Sequence, residues 1–507
     1  MTVARTWAVA LTGVRGDLVE VEADLSPQTP EFAIIGLPDK ALGEAGRRVR
    51  NACTNRGLEL PKRRLTVNLS PASLPKRGSA FDVAIAVAAL ATTGMMDAAR
   101  VADTVHIGEL GLDGRLRPVP GVLPSVLAAH RAGRSRVVVP AANAAEAGLV
   151  EGIEVRAATC LAEVVRWHGG ASEVPDLPPV LAEDPPPARE EALGLADILG
   201  QSDAVDALIV AAAGGHHLLM SGPPGAGKTM LARRLPGILP ELDDDAALSV
   251  ASVRSLSGEV VTRLSRTPPF ESPHHGASAA ALIGGGSGVV RPGAIARASE
   301  GVLFLDEGGE FPASVLDALR QPLESGVIQV HRSGVSATFP ARFQLVIATN
   351  PCPCGQYGVP GGVCECAPQA IRRYTRRLSG PLLDRIDLDL RLQRVSNARR
   401  ENAVPAVTTA AARETVIRAR DRAAARWAAT PWRRNADVPG TWLRGAAAPD
   451  ADVLRPLDIA LRRGSLTLRG YDRLLRVAWT VADIAGRDRL HPDDVGRALF
   501  LRQGSVA

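Results

Sequence analysis

The sequence predicts an α/β protein in three parts: a mixed α/β N-terminal domain, a core built on a parallel sheet, and an all-helical C-terminal domain. Three observations carry this. Residues 1–171 alternate short apolar runs such as "RLTVNLSP", "FDVAIAVAALA" and "SRVVVP" with glycine and proline punctuation. Across 191–395 apolar strands alternate with helical segments, as in a parallel sheet covered on both faces. Residues 396–507 are rich in alanine and arginine at helical spacing. Between the first two parts, "SEVPDLPPVLAEDPPPARE" (172–190) holds six prolines among acidic residues and has little to bury, so it is expected to be a semi-rigid linker.

A chain of 507 residues exceeds what one core accommodates. Its longest apolar stretch, Val83 to Met96, is too short to span a bilayer and contains Thr92, Thr93 and Gly94. The N-terminus lacks a basic segment followed by a long apolar one, so export is not expected and the predicted location is the cytoplasm. There, clustered thiols bind metal more often than they form disulfides. A net charge of +5 does not announce nucleic-acid binding, yet basic residues cluster at 47–50, 61–64, 75–77 and 372–377. Lysine occurs only at 40, 62, 76 and 228, and arginine supplies the other 55 of the 59 basic residues. A lysine at 228 in so arginine-rich a chain needs its own reason.

That reason is the string "HHLLMSGPPGAGKT" (216–229). A short apolar strand precedes Gly222, Pro223, Pro224, Gly225, Ala226, Gly227, Lys228 and Thr229, the full phosphate-loop pattern in its strand-loop context. The glycines let backbone N–H groups curl around phosphate oxygens, and the following helix offers its positive end to the same anion. Lys228 is placed to reach the β- and γ-phosphates of ATP, and Thr229 to ligate Mg²⁺. In "GVLFLDE" (301–307) a buried strand ends in Asp306, suited to the Mg²⁺ shell, and Glu307, suited to polarising a water. A third apolar strand, "FQLVIATN" (343–350), ends in Asn350, an amide able to orient that water.

Four of the six cysteines (Cys352, Cys354, Cys364, Cys366) fall within "NPCPCGQYGVPGGVCEC" (350–366). Two C-x-C pairs nine residues apart can close a tetrahedral sulfur site around Zn²⁺. With every valence filled by protein, such a site is a structural clip with no open position for chemistry.

Taken with the phosphate loop, "GLADILGQ", "SPHHGASAAALIGGGSGVVRPGAIARASEGVLFLDE", "NPCPCG" and "LSGPLLDRIDL" resemble the ComM/YifB family of magnesium-chelatase-like AAA+ ATPases. "GLPDKALGEAGRRVRNA" (36–52) and "LPKRGSAFDVAIAVAAL" (74–90) extend the resemblance over nearly the whole chain. It implies that Arg385 is an arginine finger reaching a neighbouring subunit's ATP, and that Arg469 is the sensor-2 arginine of a helical lid, contacting the γ-phosphate. A finger acting in trans requires a homo-oligomeric ring, a hexamer by analogy.

The resemblance also implies a Lon-protease-like (ribosomal protein S5 domain 2-like) fold for residues 1–171. It places Ser79 at the protease nucleophile, but Leu123, Pro124 and Ser125 stand where the activating lysine belongs. Without an amine base the hydroxyl is a weak nucleophile, so proteolysis is not expected. Two departures from the family stand out: Gly308 and Gly309 follow the acid pair, and Glu271 and Ser272 replace a basic residue before "PHH". The function implied is an ATP-driven ring motor on DNA, of the branch-migrating helicase kind. The glycine-rich insert 283–288 and a hairpin bearing His331 and Arg332 are its candidate pore elements. A chelatase-type motor subunit and a regulatory or chaperone-like ATPase acting on a protein are the alternatives.

Overall fold

The computed structural model describes residues 3–178, 180, 193–286, 290–332, 335–395 and 407–503. Most of the expected linker, and part of the glycine-rich insert, lie outside the described residues.

A seven-stranded mixed sheet forms from β1 (Val3–Thr12), β2 (Arg15–Ser26), β3 (Glu31–Ile35), β4 (Arg64–Ser70), β5 (Thr104–His106), β8 (Arg136–Pro140) and β9 (Glu154–Ala158). The short ladder of β6 (Glu109–Leu110) with β7 (Leu116–Arg117) stands apart. The sheet order is β3-β4-β2-β1-β5-β8-β9. In β2 the inward set Val19, Val21 and Ala23 is fully buried, the period-2 signature of a strand with one face on a core. After its first residue, Asp82, helix Asp82–Ala91 is apolar all round, and every residue in it is buried, as an unpatterned apolar helix must be. Behind β5 a buried polar relay links three side chains, with His168 Nδ1 left without a partner among the described residues. Thr6 Oγ1 donates to the Thr104 carbonyl at 3.0 Å, so it accepts from His106 Nδ1 at 2.8 Å, leaving His106 Nε2 to accept from His168 Nε2 at 2.9 Å.

The second sheet is parallel throughout. It comprises β10 (Leu218–Ser221), β11 (Phe270–Glu271), β14 (Val302–Leu305), β17 (Gln344–Thr349) and β18 (Leu388–Arg391), in the order β11-β14-β17-β10-β18. Alternate residues feed different cores. Met220, Phe304 and Val346 belong to the buried cluster that also takes in helices Ser202–Gly214, Lys228–Ile238 and the C-terminal helices, whereas Leu219, Leu305 and Ile347 pack on the other face. On that face lie two antiparallel pairs, β12 (Gly284–Gly285) with β13 (Arg291–Pro292) and β15 (Val327–Arg332) with β16 (Val335–Pro340). The second pair is the hairpin expected to carry His331 and Arg332. Residues 333–334 and the Arg332 side chain lie outside the described residues.

The C-terminal segment is helical, with principal helices Thr409–Arg426, Ala451–Arg462, Leu468–Ile484 and Pro492–Gln503. It does not build a core of its own. Val416, Leu474 and Leu475 belong to the same buried cluster as Leu218 and Met220 of β10. Helices Thr409–Arg426 and Leu468–Ile484 pack on helices Ser202–Gly214 and Lys228–Ile238, which lie against the sheet, and Pro492–Gln503 packs on β18. The N-terminal part also touches the core directly. Gly13, in the β1–β2 turn, bridges to Thr338 of β16, and Gly121 N donates to the Ser255 carbonyl at 3.1 Å. Among the described residues no helix is long and apolar enough to cross a membrane.

Candidate active site

The phosphate loop begins where β10 ends. Gly225 and Gly227 adopt φ of +78° and +82°, a region where a Cβ is strained, so the loop geometry demands glycine there. The loop is anchored by Gly222 N donating to the Thr349 carbonyl of β17 at 3.2 Å, and helix Lys228–Ile238 follows at once. Lys228 is only 9% exposed. Its Nζ donates to Gly222 O at 2.6 Å, Pro223 O at 3.0 Å and Asn350 Oδ1 at 3.0 Å. Burial lowers its pKa, while Asp306 and Glu307 act in the opposite sense.

Because β14 and β17 flank each other and β10 lies next, their ends converge. Thr229 Oγ1 donates to Asp306 Oδ2 at 2.7 Å, which places two hard oxygen ligands side by side. This donor set fits Mg²⁺, and Thr229 and Asp306 are the residues that would hold it. Glu307 follows with φ of +54°, a left-handed conformation rare for a residue with a Cβ, and its N–H donates to Asp306 Oδ1 at 3.0 Å. The sequence-derived set of Lys228, Thr229, Asp306, Glu307 and Asn350 is therefore one cluster.

Gly308 and Gly309 have a reason in this fold. A Cβ at Gly308 would lie 2.5 Å from Ile347 Cγ2, and one at Gly309 would lie 2.3 Å from Tyr374 Cζ. The turn after Glu307 is thin so that the Tyr374 ring can pack on it. Glu271, the other departure, pairs with Arg297 at 3.1 Å. Two polar side chains at the site were not singled out in the sequence. Gln201 Nε2 donates to the Ala226 carbonyl of the phosphate loop at 2.8 Å, and His275 Nδ1 lies 2.9 Å from Glu307 Oε2. The "GLADILGQ" and "PHH" strings contain them, but neither string says that its last residue reaches the loop ends.

The two arginines lie elsewhere. Arg385 contacts Glu324 and donates to the Pro381 carbonyl at 2.5 Å; Arg469 pairs with Asp384 at 3.4 Å. Both line a cavity of about 630 Å³ that also takes in Arg342, Arg434, Arg473 and Arg476 and no residue of the phosphate loop. The partner of Arg469 in this structure is Asp384 rather than a residue of the phosphate loop. Helix Leu468–Ile484, with Arg469 at its second position, is set against Asp384, the residue before Arg385.

The four cysteines converge. All four Sγ atoms lie within 4.8 Å of one another, with Cys352–Cys354 at 3.3 Å and Cys352–Cys364 and Cys354–Cys364 each at 3.7 Å. Zinc–sulfur bonds of about 2.3 Å in a tetrahedron put sulfurs about 3.8 Å apart, so the donors and their spacing fit Zn²⁺. The loop abuts the phosphate loop: a Cβ on Gly355 would lie 2.5 Å from Pro224 Cδ.

Of the basic clusters, Arg47, Arg50, Lys62, Arg63, Arg372, Arg373 and Arg376 are exposed. Lys76 is not available to any partner. It is fully buried, and its Nζ donates to the carbonyls of Gly36 at 3.0 Å, Leu69 at 2.9 Å and Pro71. Arg48 is spent on buried Asp82 at 2.7 Å. Ser79 Oγ donates to Glu109, and Leu123–Ser125 lie in helix Val122–Arg131, so the serine's partner here is a carboxylate.

Comparison with known proteins agrees with the strings above. The family model described as "Magnesium chelatase, subunit ChlI" matches residues 194–400, "Subunit ChlI of Mg-chelatase" matches 21–143, and "Magnesium chelatase, subunit ChlI C-terminal" matches 406–502. An uncharacterized protein of Mycobacterium tuberculosis is 48% identical over 505 residues, 99% of each chain. The competence protein ComM of Haemophilus influenzae is 41% identical over 506 residues, 99% of this chain and 98% of its own. The uncharacterized protein YifB of Escherichia coli is 40% identical over 495 residues, 97% of this chain and 96% of its own. The chain belongs to the ComM/YifB family of magnesium-chelatase-like AAA+ ATPases.

Proposed function

We propose that this AAA+-type ATPase, which works with ATP and Mg²⁺, is a ring motor that remodels branched DNA by branch migration. The observation that carries the ring is the placement of Arg385 and Arg469 together in one cavity away from the chain's own phosphate loop. Two arginines suited to a γ-phosphate then serve a neighbour's ATP, and hydrolysis requires a second copy. A hexamer is the closed form expected of the family.

Each residue has a task. Backbone N–H groups of Gly222–Thr229 hold the phosphates, and Lys228 leaves its carbonyl partners for the β- and γ-oxygens. Mg²⁺, held by Thr229 and Asp306, neutralises charge between those phosphates when bound. Glu307 accepts a proton from the attacking water, which Asn350 helps to orient. The four cysteines hold a structural Zn²⁺ that braces the loop against Pro224. Residues 1–171 form a Lon-protease-like unit without protease activity, and residues 396–507 act as the lid.

DNA as the substrate draws on the exposed basic residues, on the β15–β16 hairpin and on the likeness to a relative named a competence protein. A double His331→Ala, Arg332→Ala variant should lose DNA-stimulated ATPase and keep the basal rate. Unchanged stimulation would remove the hairpin from the DNA path. ATPase indifferent to forked and four-way DNA in the unaltered protein would move the substrate to a protein or a porphyrin.

A further inference from the structure

The contact between His275 and Glu307 goes beyond the motifs. β11 runs parallel to β14 at the sheet edge, pairing Phe270 with Val302 and Glu271 with Leu303. The chain leaves β11 four residues before His275 and leaves β14 two residues before Glu307, so the two side chains meet beyond adjacent strand ends. There His275 Nδ1 lies 2.9 Å from Glu307 Oε2, with the side chains 37% and 53% exposed. A carboxylate accepts, so the ring nitrogen facing it is the atom of His275 placed to donate. Glu307's other oxygen is left for a water.

The turn that carries this imidazole is fixed at its neighbour His274. The His274 ring lies 4.1 Å from that of His275, centroid to centroid, and is fixed by Gly276 N donating to His274 Nδ1 at 3.1 Å. The Ala277 N–H closes the turn on the His274 carbonyl at 2.8 Å. On the other side the Glu307 backbone is pinned. Its φ is +54°, Gly308 N donates to Ala348 O at 2.7 Å, and Glu310 N donates to Glu307 O at 2.7 Å. A strained residue with a fixed backbone still has three free side-chain torsions, and a half-exposed carboxylate samples them unless something holds it.

We propose that His275 is a positioning residue for hydrolysis: its imidazole fixes the Glu307 carboxylate so that the free oxygen faces the attacking water. This rests on the assignment of Glu307 as the base. Misplacing a catalytic group by about 1 Å can cost on the order of 100-fold in rate. Asparagine is the conservative replacement, because its side-chain amide nitrogen occupies nearly the place of Nδ1.

Steady-state ATPase and binding of a fluorescent ATP analogue should be measured for His275→Ala, His275→Asn, Glu307→Gln and His275→Ala/Glu307→Gln. For His275→Ala, kcat should fall by roughly 10- to 100-fold, with KM and analogue affinity within about twofold of the unaltered protein. His275→Asn should recover most of that rate, and the double variant should be no slower than Glu307→Gln. Retained analogue binding shows that the variants are folded. An unchanged or raised kcat in His275→Ala beside an inactive Glu307→Gln overturns the inference alone. So does an asparagine variant as slow as alanine, or a loss of affinity that matches the loss of rate. A Glu307→Gln protein hydrolysing ATP at the unaltered rate overturns the assignment beneath it.

Discussion

Gly309 and Tyr374 offer a quantitative test of how the turn after Glu307 is built. In Gly309→Ala the new Cβ would sit 2.3 Å from Tyr374 Cζ and 2.6 and 2.7 Å from the two adjoining ring carbons. The ring must retreat by about 0.7 Å to reach even 3.0 Å, a spacing that is already tight. Tyr374 is 4% exposed and cannot swing into solvent without leaving a void. Arg377, two residues after its helix ends, is tied to the same turn by its 2.7 Å bond to the Gly309 carbonyl. Overpacking of this kind costs about 1–3 kcal/mol. Tyr374→Ala removes a buried ring and costs about 3–5 kcal/mol. In the double variant the alanine methyl enters the space the ring has left. Its cost should fall short of the sum of the single variants by at least about 1 kcal/mol. Urea unfolding gives the three costs, and ATPase reports whether Glu307 has moved: Gly309→Ala should lose rate more than affinity for nucleotide. Additive costs, or a Gly309→Ala protein as stable and active as the unaltered one, would refute the packing argument.

Three further outcomes follow from the structure. Chelation, or Cys352→Ser with Cys364→Ser, should release about one zinc per chain and raise KM for ATP, because the loop carrying Gly355 abuts Pro224; well under one zinc with all four thiols freely titratable would refute the site. Arg385→Ala should bind ATP normally yet hydrolyse it at least about 100-fold more slowly. Mixed with unaltered protein, it should depress activity beyond simple dilution. The third concerns the buried histidine relay. Burial, and then the charge of Arg100, lower His168 from 6.5 to about 4. The unfolded chain takes up that proton first, so the stabilisation is full above pH 6.5 and drains away as pH falls toward 4. Protection of the Val105 amide against exchange, corrected for intrinsic rate, should decline over that window in the unaltered protein and change less in His168→Gln.

The nucleotide cluster was readable because its parts announce themselves locally. A glycine-rich loop, a lysine in an arginine-rich chain and three apolar strands ending in polar residues are all visible as strings. What escaped depends on adjacency or burial. His275 meets Glu307 only because β11 pairs with β14, and the two residues are 32 positions apart. Lys76 looks like a phosphate contact by charge, but three backbone carbonyls turn inward to meet it. Arg469 was assigned by its string to a phosphate contact, whereas its neighbours follow from how helix Leu468–Ile484 sits against Asp384. The alanine-rich C-terminal helices looked self-contained. Small residues such as Ala412, Ala419 and Ala423 instead let them lie close on the sheet's own core.

The most direct test is ATP-driven movement of a labelled four-way DNA junction. The unaltered protein with ATP and Mg²⁺ should convert the junction to its branch-migrated products, while Lys228→Ala and Arg385→Ala should leave it intact. A junction untouched by protein that is hydrolysing ATP normally, or converted equally well without ATP, would contradict the account.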